Sequence, residues 1–294
     1  MSGETTSSSL SSALPTIIQD ARIIREFDGV WQRTCDKRSL GKGQGYSWNE
    51  FSINQINAQD ITETTINNNA QTLSGQLLSS TPQMAQILVK ITDRTHAKIS
   101  AVVDGKLGGL AGNAMRRKKD EDYLDLFSGF ATTVSPGTGN PLSYGHLTAG
   151  VANIRHNATE GSMDNIYAVL HGFGVKDLQD EQLAPIGTYS VPNGMTEEIF
   201  RKGFSGNVAG ANVFTDDNIV IDSVPDANGA IHAREGVVAV QGMGLHTETR
   251  RDPSYGGGAD EVYITDEYSF VERTSAGTQV WAYLLKHDAT APTS

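Results

Sequence analysis

Residues 95–127 restrict the possible folds more than any other part of the chain. Ile99, Val103, Leu107, Leu110 and Ala114 recur at helical spacing. A helix over the whole stretch is about 50 Å long at a rise of about 1.5 Å per residue, longer than one small domain. Its second half reads "NAMRRKKDEDYLDLF". There Arg116, Arg117, Lys118 and Lys119 run directly into Asp120, Glu121 and Asp122. The apolar stripe therefore stops for about two turns and resumes with Tyr123, Leu124, Leu126 and Phe127. A helix that is polar all round in its middle is expected to run along a wall of the molecule rather than through a globule. Gly105, Gly108, Gly109 and Gly112 lie inside it, each costing up to about 1 kcal/mol relative to alanine. Two readings stay open: one bendable helix, or two shorter helices broken at Gly108-Gly109. For the charge block, pairing of Arg116 with Asp120 and of Lys118 with Asp122 at i,i+4 stands beside a surface that meets a polyanion.

The second constraint is a lack of charge. "YSWNEFSIN" and "MAQILVKIT" read as strands, the latter with Ala85, Ile87, Val89 and Ile91 alternating against Met84, Gln86, Leu88 and Lys90. Between them lies a long stretch of Asn, Gln, Ser and Thr whose only charges are Asp60 and Glu63. Disordered segments normally carry charge, and uncommitted loops of this length are uncommon in compact domains. The expectation is a long two-stranded arm that can lie on a neighbouring molecule without repulsion. Its candidate contact residues are Trp48, Phe51, Ile53, Ile61, Ile66, Asn67, Asn68 and Leu73, with Trp31 from the preceding segment.

That preceding segment opens Ser/Thr-rich through residue 13 and is expected to be a flexible arm. Pro15 then suits a first helical turn, and Ile17, Ala21, Ile24, Phe27 and Trp31 predict an amphipathic helix ending near Lys37. Beyond the linker "SGFATTVSPGTGN" the pattern is that of a compact α/β unit. Asn140 and Pro141 are the expected start of a helix with the stripe Leu147, Val151 and Ile154. "NIYAVLHGF" is a buried strand, "VKDLQDEQLA" and "TEEIFRKGF" are helices, and "NVFTDDNIVIDSVP" and "GVVAVQGM" are strands. "LHTETRRD", "DEVYITDEYSFVERT" and "TQVWAYLL" read as an extended strand and a hairpin closed at Ser275-Ala276-Gly277.

The formal net charge is -11, which argues against a protein whose main task is gripping nucleic acid by its phosphates. Cys35 is the only cysteine, so an intramolecular disulfide and a cysteine zinc site are excluded and a reducing compartment is the expected setting. Without a charged n-region and apolar core at the N-terminus, or a run of about 20 apolar residues, the chain is expected to be cytosolic and to use no membrane. The Asn157-Ala158-Thr159 sequon is then an accident of composition. No catalytic constellation emerges. Gly41-Lys42 has Asp36 where a Walker A loop needs glycine, "GFSGN" lacks the last glycine of a nucleophile elbow, and the seven histidines form no HExxH. "GKLGGLAG" has the wrong spacing for a dinucleotide fingerprint and no strand before it. His171 reads as a satisfied core residue. A non-enzyme without cofactor or metal is the expectation.

The order of these parts resembles the major capsid protein of tailed bacteriophages, an α+β architecture known as the Johnson fold. Locally, "MDNIYAVLHGFGVKDL" is similar to the family's strand "yavlhp" and following helix. The stretch from "GVVAVQGMGLHTETRRD" to "TQVWAYLL" is similar to its closing segment; Gly172 replaces a common proline. The resemblance implies an N-terminal arm over 1–40, an extended E-loop over 41–93, a peripheral domain over 94–139 and 244–294 with a spine helix, and an axial domain over 140–243. It further implies a shell of pentamers and hexamers around double-stranded DNA, reached through an expanding precursor. Portal, scaffolding and decoration proteins are the partners it suggests. Arg116, Arg117, Lys118 and Lys119 become candidates to face packaged DNA or an acidic scaffold segment. Gly105, Gly108, Gly109 and Gly112 become candidates for a bend that straightens on expansion. An encapsulin-like compartment, a β-rich tail or adhesin protein, and an undetected hydrolase are the rival readings.

Overall fold

The computed structural model describes residues 29–292 except 65, 69, 99–100, 159, 184–206, 209 and 275–277. Two five-stranded sheets and a separate two-stranded ribbon make up the β-structure of these residues. The first sheet is organised by one long strand, β11 (Ala259–Glu272). Along one edge it pairs antiparallel with β4 (Gln83–Thr92). Along the other it pairs first with β10 (His246–Asp252) and then with β9 (Val237–Gln241). Between Gln241 and His246 the chain makes a bulge: these two residues oppose Tyr268 and Thr265, which are closer together in sequence. β1 (Asp36–Ser39) closes this sheet parallel to β9.

The second sheet has the order β12 (Ala282–Asp288), β8 (Asp226–Ala233), β5 (Ile166–Leu170), β7 (Ala211–Thr215), β6 (Asn207–Val208). β5 is central and buried at every residue, which is why "IYAVL" reads as a continuous apolar run. One face of this sheet is covered by α4 (Tyr144–Arg155) and α5 (Gly172–Leu183). The core there is built from Leu147, Val151, Ile154, Leu170, Ile231 and Leu285 among others. The other face meets the first sheet in a second core that contains Val169, Ala230, Val237 and Ala239.

The long helix α3 (Ala101–Asp125) is continuous through all four glycines and passes directly into a 3-10 turn, Leu126–Gly129. The break at Gly108-Gly109 is therefore not formed. A short helix, α2 (Asp93–His96), with Thr92 accepting from the Thr95 N–H, precedes it. Half-way along, Ala111 and Met115 lie on Ala85, Ile87 and Val89 of β4 and Ile264 of β11. The alternating face of β4 is what the helix covers.

Several expectations are corrected. The helix expected to reach Lys37 occupies only Trp31–Thr34 here (α1): Cys35 is extended and the next four residues join the sheet edge as β1, where their backbone groups find ladder partners. Residues 1–28, with the rest of that helix, lie outside the described residues, as does the helix expected at 196–204. Asn140 does not cap α4; Ser143 does, with its N–H donated to His146 Nδ1 at 3.3 Å. The strand expected across 212–225 stops at Thr215. The hairpin expected after β11 does not form, because β12 crosses to the second sheet and pairs with β8.

Two glycines separate helix propensity from close packing. A methyl group on Gly112 would meet nothing within 4 Å, whereas on Gly150 it would lie 2.7 Å from Ile231 Cγ2, where α4 approaches β8. Gly112→Ala is expected to raise stability by up to about 1 kcal/mol. Gly150→Ala is expected to lower it by about 1–3 kcal/mol through overpacking. Chemical denaturation of both variants checks the contrast.

Candidate functional site

The arm is a ribbon of β2 (Trp48–Ile53) and β3 (Gly75–Ser80), paired antiparallel with Phe51 opposite Leu77. Its return strand is thus not "MAQILVKIT", which belongs to the first sheet as β4. Past the ribbon the two sides stay together by a different chemistry. Asn54 N–H donates to the Ser74 carbonyl at 2.9 Å, and its side-chain amide to Ser74 Oγ at 3.0 Å. Asn57 N–H donates to Gln71 Oε1 at 2.8 Å, while Gln71 Nε2 returns a bond to the Asn57 carbonyl. A side-chain amide has the same donor and acceptor as a peptide group, so Asn and Gln extend the ladder where strand pairing ends. This accounts for the uncharged composition of the segment.

The apolar side chains of the arm have no interior to enter. Phe51 (61% exposed), Ile53, Ile61, Ile66 (80%) and Leu73 stand in solvent. Asn67 and Asn68 are also exposed. Tyr46, Ile56 and Leu77 join them and were not singled out from sequence, although Leu77 is fixed as the cross-strand neighbour of Phe51. Trp48 is half-buried at the ribbon's base. Trp31 is engaged within the subunit, edge-on to Phe270 at 5.6 Å, with Lys119 Nζ 5.6 Å from its ring centre.

The base of the ribbon is fastened by Arg273, another residue the sequence did not reveal. Its guanidinium lies 2.7 Å from Glu50 of β2, 3.0 Å from Asp36 of β1, and donates to the Glu235 carbonyl at 2.6 Å. Ser80 and Ser269 share a hydrogen bond beside it. Between this base, β4 and α3 opens a cleft of about 910 Å³ whose walls include Met84, Ile87, Met115 and Phe270.

On α3 the charge block does not interrupt the buried stripe. Ala111, Met115, Lys119, Tyr123 and Phe127 are all buried, each four residues after the last. Lys119 occupies a core position because it is neutralised there: its ammonium is 2.6 Å from Asp266 and 3.0 Å from Gln241 Oε1, over the ring of Tyr268 at 4.9 Å. The expectation that this helix is polar all round is therefore wrong, and Lys119 is withdrawn from the cations that could meet DNA. Arg116, Arg117 and Lys118 remain exposed. Arg117 lies 3.5 Å from Glu121, and Lys118 pairs with Asp122. The expected Arg116–Asp120 pair is replaced, since Asp120 is fully buried and accepts from Asn218 Nδ2 at 2.9 Å.

Where α3 ends, Tyr123 Oη lies 2.8 Å from His232 Nε2 and 2.9 Å from Thr34 Oγ1. His232 Nδ1 is 2.9 Å from the Ala233 carbonyl, which fixes that nitrogen as the donor and leaves Nε2 to accept from tyrosine. Burial pushes the histidine down to about 4, so it is neutral. Burial likewise raises the Cys35 thiol well above its ordinary range, leaving it an inert core group. His171, expected to be a core residue, is buried with its Nε2 3.9 Å from Asp217. Among the described residues no group of three or more His, Cys, Asp or Glu side chains could hold a metal. No helix among them is long and apolar enough to cross a membrane.

No protein-family model matches the sequence. No curated protein matches it either. Solved structures do match, over nearly all of the chain. The capsid of Ralstonia phage GP4 matches with TM-score 0.71 at 10% identity, over 96% of this chain and 97% of that one. The capsid of cyanophage Pam1 matches with TM-score 0.71 at 10% identity, over 96% and 98%. The mature capsid of bacteriophage PhiM1 gives 0.66 at 12% identity, over 95% and 93%. The fold is that of bacteriophage capsid subunits.

His232 gives this region a pH signature. Its value in the folded chain, about 4, lies below the ordinary 6.5, so its contribution is complete above pH 6.5 and is lost as pH falls towards 4. The stability advantage of the wild type over His232→Gln is expected to shrink by about 3 kcal/mol across that window. Urea titrations of both proteins at several pH values measure it.

Proposed function

We propose that this chain is a major capsid protein, whose copies assemble through pentamers and hexamers into the icosahedral shell of a tailed-phage head. The observation that carries the reading is the arm: in a chain with a phage-capsid fold, a ribbon projects a row of apolar side chains with no cover of their own. Contiguous exposed apolar surface on this scale marks a protein contact. On this reading the arm is the E-loop, α3 with the first sheet is the peripheral domain, and the second sheet with α4 and α5 is the axial domain. The expected bounds 94–139 and 244–294 against 140–243 therefore shift: β12 joins the axial part and β9 the peripheral one. The arm of one subunit covers its neighbour near the cleft beside β4. The subunit is structural rather than catalytic, resides in the virion and assembles in the host cytoplasm. Portal and scaffolding proteins, with decoration proteins in addition, are its further partners.

Phe51→Asp combined with Leu77→Asp places like charges opposite each other on the ribbon's exposed face without touching either core. Electron microscopy of the expressed wild type is expected to show closed shells tens of nanometres across, on the scale of capsids built from symmetric repeats. The double variant is expected to give soluble capsomers or monomers. A wild type that stays monomeric at high concentration overturns the reading.

The weak, non-specific contact with packaged DNA is assigned to Arg116, Arg117 and Lys118. Two of these three already have acidic partners on the helix, so their combined effect is small. Changing all three to Gln while keeping Lys119 is expected to leave shells intact and lower the fraction of DNA-filled heads. Unchanged filling reduces the cations to intrahelical pairing.

A further inference from the structure

Asp120 on α3 and Asp216, just after β7, form a pair that the shell reading does not use. Both are essentially fully buried. The outer bonds of each carboxyl are settled. Asp120 Oδ2 accepts from Asn218 Nδ2 at 2.9 Å, and Asp216 Oδ1 accepts from the Asn218 N–H at 3.0 Å. The other oxygens, Asp120 Oδ1 and Asp216 Oδ2, have no well-formed hydrogen bond among the described residues, although the Val30 N–H also faces the Asp216 carboxyl and favours its ionised form. Asn218 thus holds the two carboxyls next to each other, one on its side-chain amide and one on its backbone N–H. Two buried carboxylates sharing one site cannot both be ionised without a counter-charge. One proton placed between the two orphaned oxygens satisfies both at once.

We infer that Asp120 and Asp216 share a single proton and act as a proton-dependent clasp that fastens the second half of α3 to the second sheet. The loop that carries Asp216 also holds α5, since Asp217 Oδ1 accepts from the Gly172 N–H at 3.0 Å. Closing the clasp thus joins α3 to the start of α5 through three consecutive residues. Opening it transfers the proton from Asp216 to a solvent base and leaves two carboxylates that repel. The titratable groups around the pair are few. Tyr123 lies one turn along α3, Cys35 precedes β1, and His232 on β8 touches the pair only through Tyr123. Lys37 and Asp36 bear on Cys35, and His171 faces Asp217. None supplies a donor to the orphaned oxygens. Burial and the neighbouring carboxyl hold Asp216 up at about 7, so the proton is present below neutral pH and half gone at pH 7.

The inference concerns the subunit itself and does not depend on shell formation. With the folded value raised, the clasp's stabilisation is complete below about 4 and is lost as pH rises through 7. Hydrogen exchange of residues 113–125, corrected for intrinsic rates, is expected to speed up about tenfold per pH unit from 5 to 7 and to level off above 7. Asp216→Asn, whose amide donates to Asp120 at every pH, removes that slope. A flat wild-type profile, or the same slope in the variant, overturns the proposal. If Asp216→Asn does not fold, Asp120→Asn carries the same expectation from the helix side. Independently of any variant, protein labelled with 13C at the aspartate carboxyls should show an infrared band of a protonated carboxyl that disappears around pH 7. Its absence at pH 5.5 overturns the proposal.

Discussion

The seating of α3 between the two sheets is the interaction on which the rest of the subunit depends. Along its second half, every fourth residue from Ala111 to Phe127 is buried. The first two of these rest on β4 and β11. The last two enter the core shared by both sheets, where Tyr123 meets Phe127 edge-on at 4.9 Å and bonds His232 of β8. One helix is thereby fixed to the first sheet in its middle and to both at its end. Lys119 lies between these contacts and keeps the stripe continuous only because Asp266 and Gln241 meet its ammonium. A buried ion pair of this kind adds little net stability over apolar residues of the same volume, yet losing one partner is severe.

The arm solves a different problem with opposite means. A two-stranded ribbon in water is marginal, and this one has little apolar interior of its own. Its base is held by Arg273, which draws Glu50, Asp36 and the Glu235 carbonyl to one point. Its distal part is held by side-chain amides that stand in for peptide groups. Arg273 is itself buried, but the amide pairs need no burial. The apolar side chains of Phe51, Leu77 and Ile66 are left free for a partner surface.

Much of this was legible in the sequence, and the exceptions have physical causes. The alternation of β4 was readable because apolar spacing reports a buried face directly. Of the stripe read on α3, by contrast, Leu110 is exposed and Ala114 only half-buried, and the helix turns Ala111 and Met115 to the sheet instead. The stripe Leu147, Val151 and Ile154 is buried as read. Lys119 was misread because its charge says "surface" and only the fold supplies Asp266, far along the chain. β8 was missed because "DANGAIHA" is built from small and polar residues that seldom form strands. It is buried almost throughout because helices cover one face of its sheet and the first sheet the other. The return strand of the arm was assigned to the stronger apolar run, which long-range pairing with β11 had claimed. At the candidate contacts, the exposure of Phe51, Ile53, Ile61, Ile66 and Leu73 followed the reading of a neutral arm. The anchor Arg273 and the Asp120–Asp216 pair could not be read, since each is made by residues distant in sequence.

The continuity of β11 has a mechanical consequence. Its first ten residues pair with β4, while its last five pair with β9. Tension along the strand axis therefore loads all the rungs of either ladder together, in shear, instead of peeling them one by one. Two regions of the subunit are joined by one covalent beam, and any pull on its far end is felt at Arg273 before a single rung has to break.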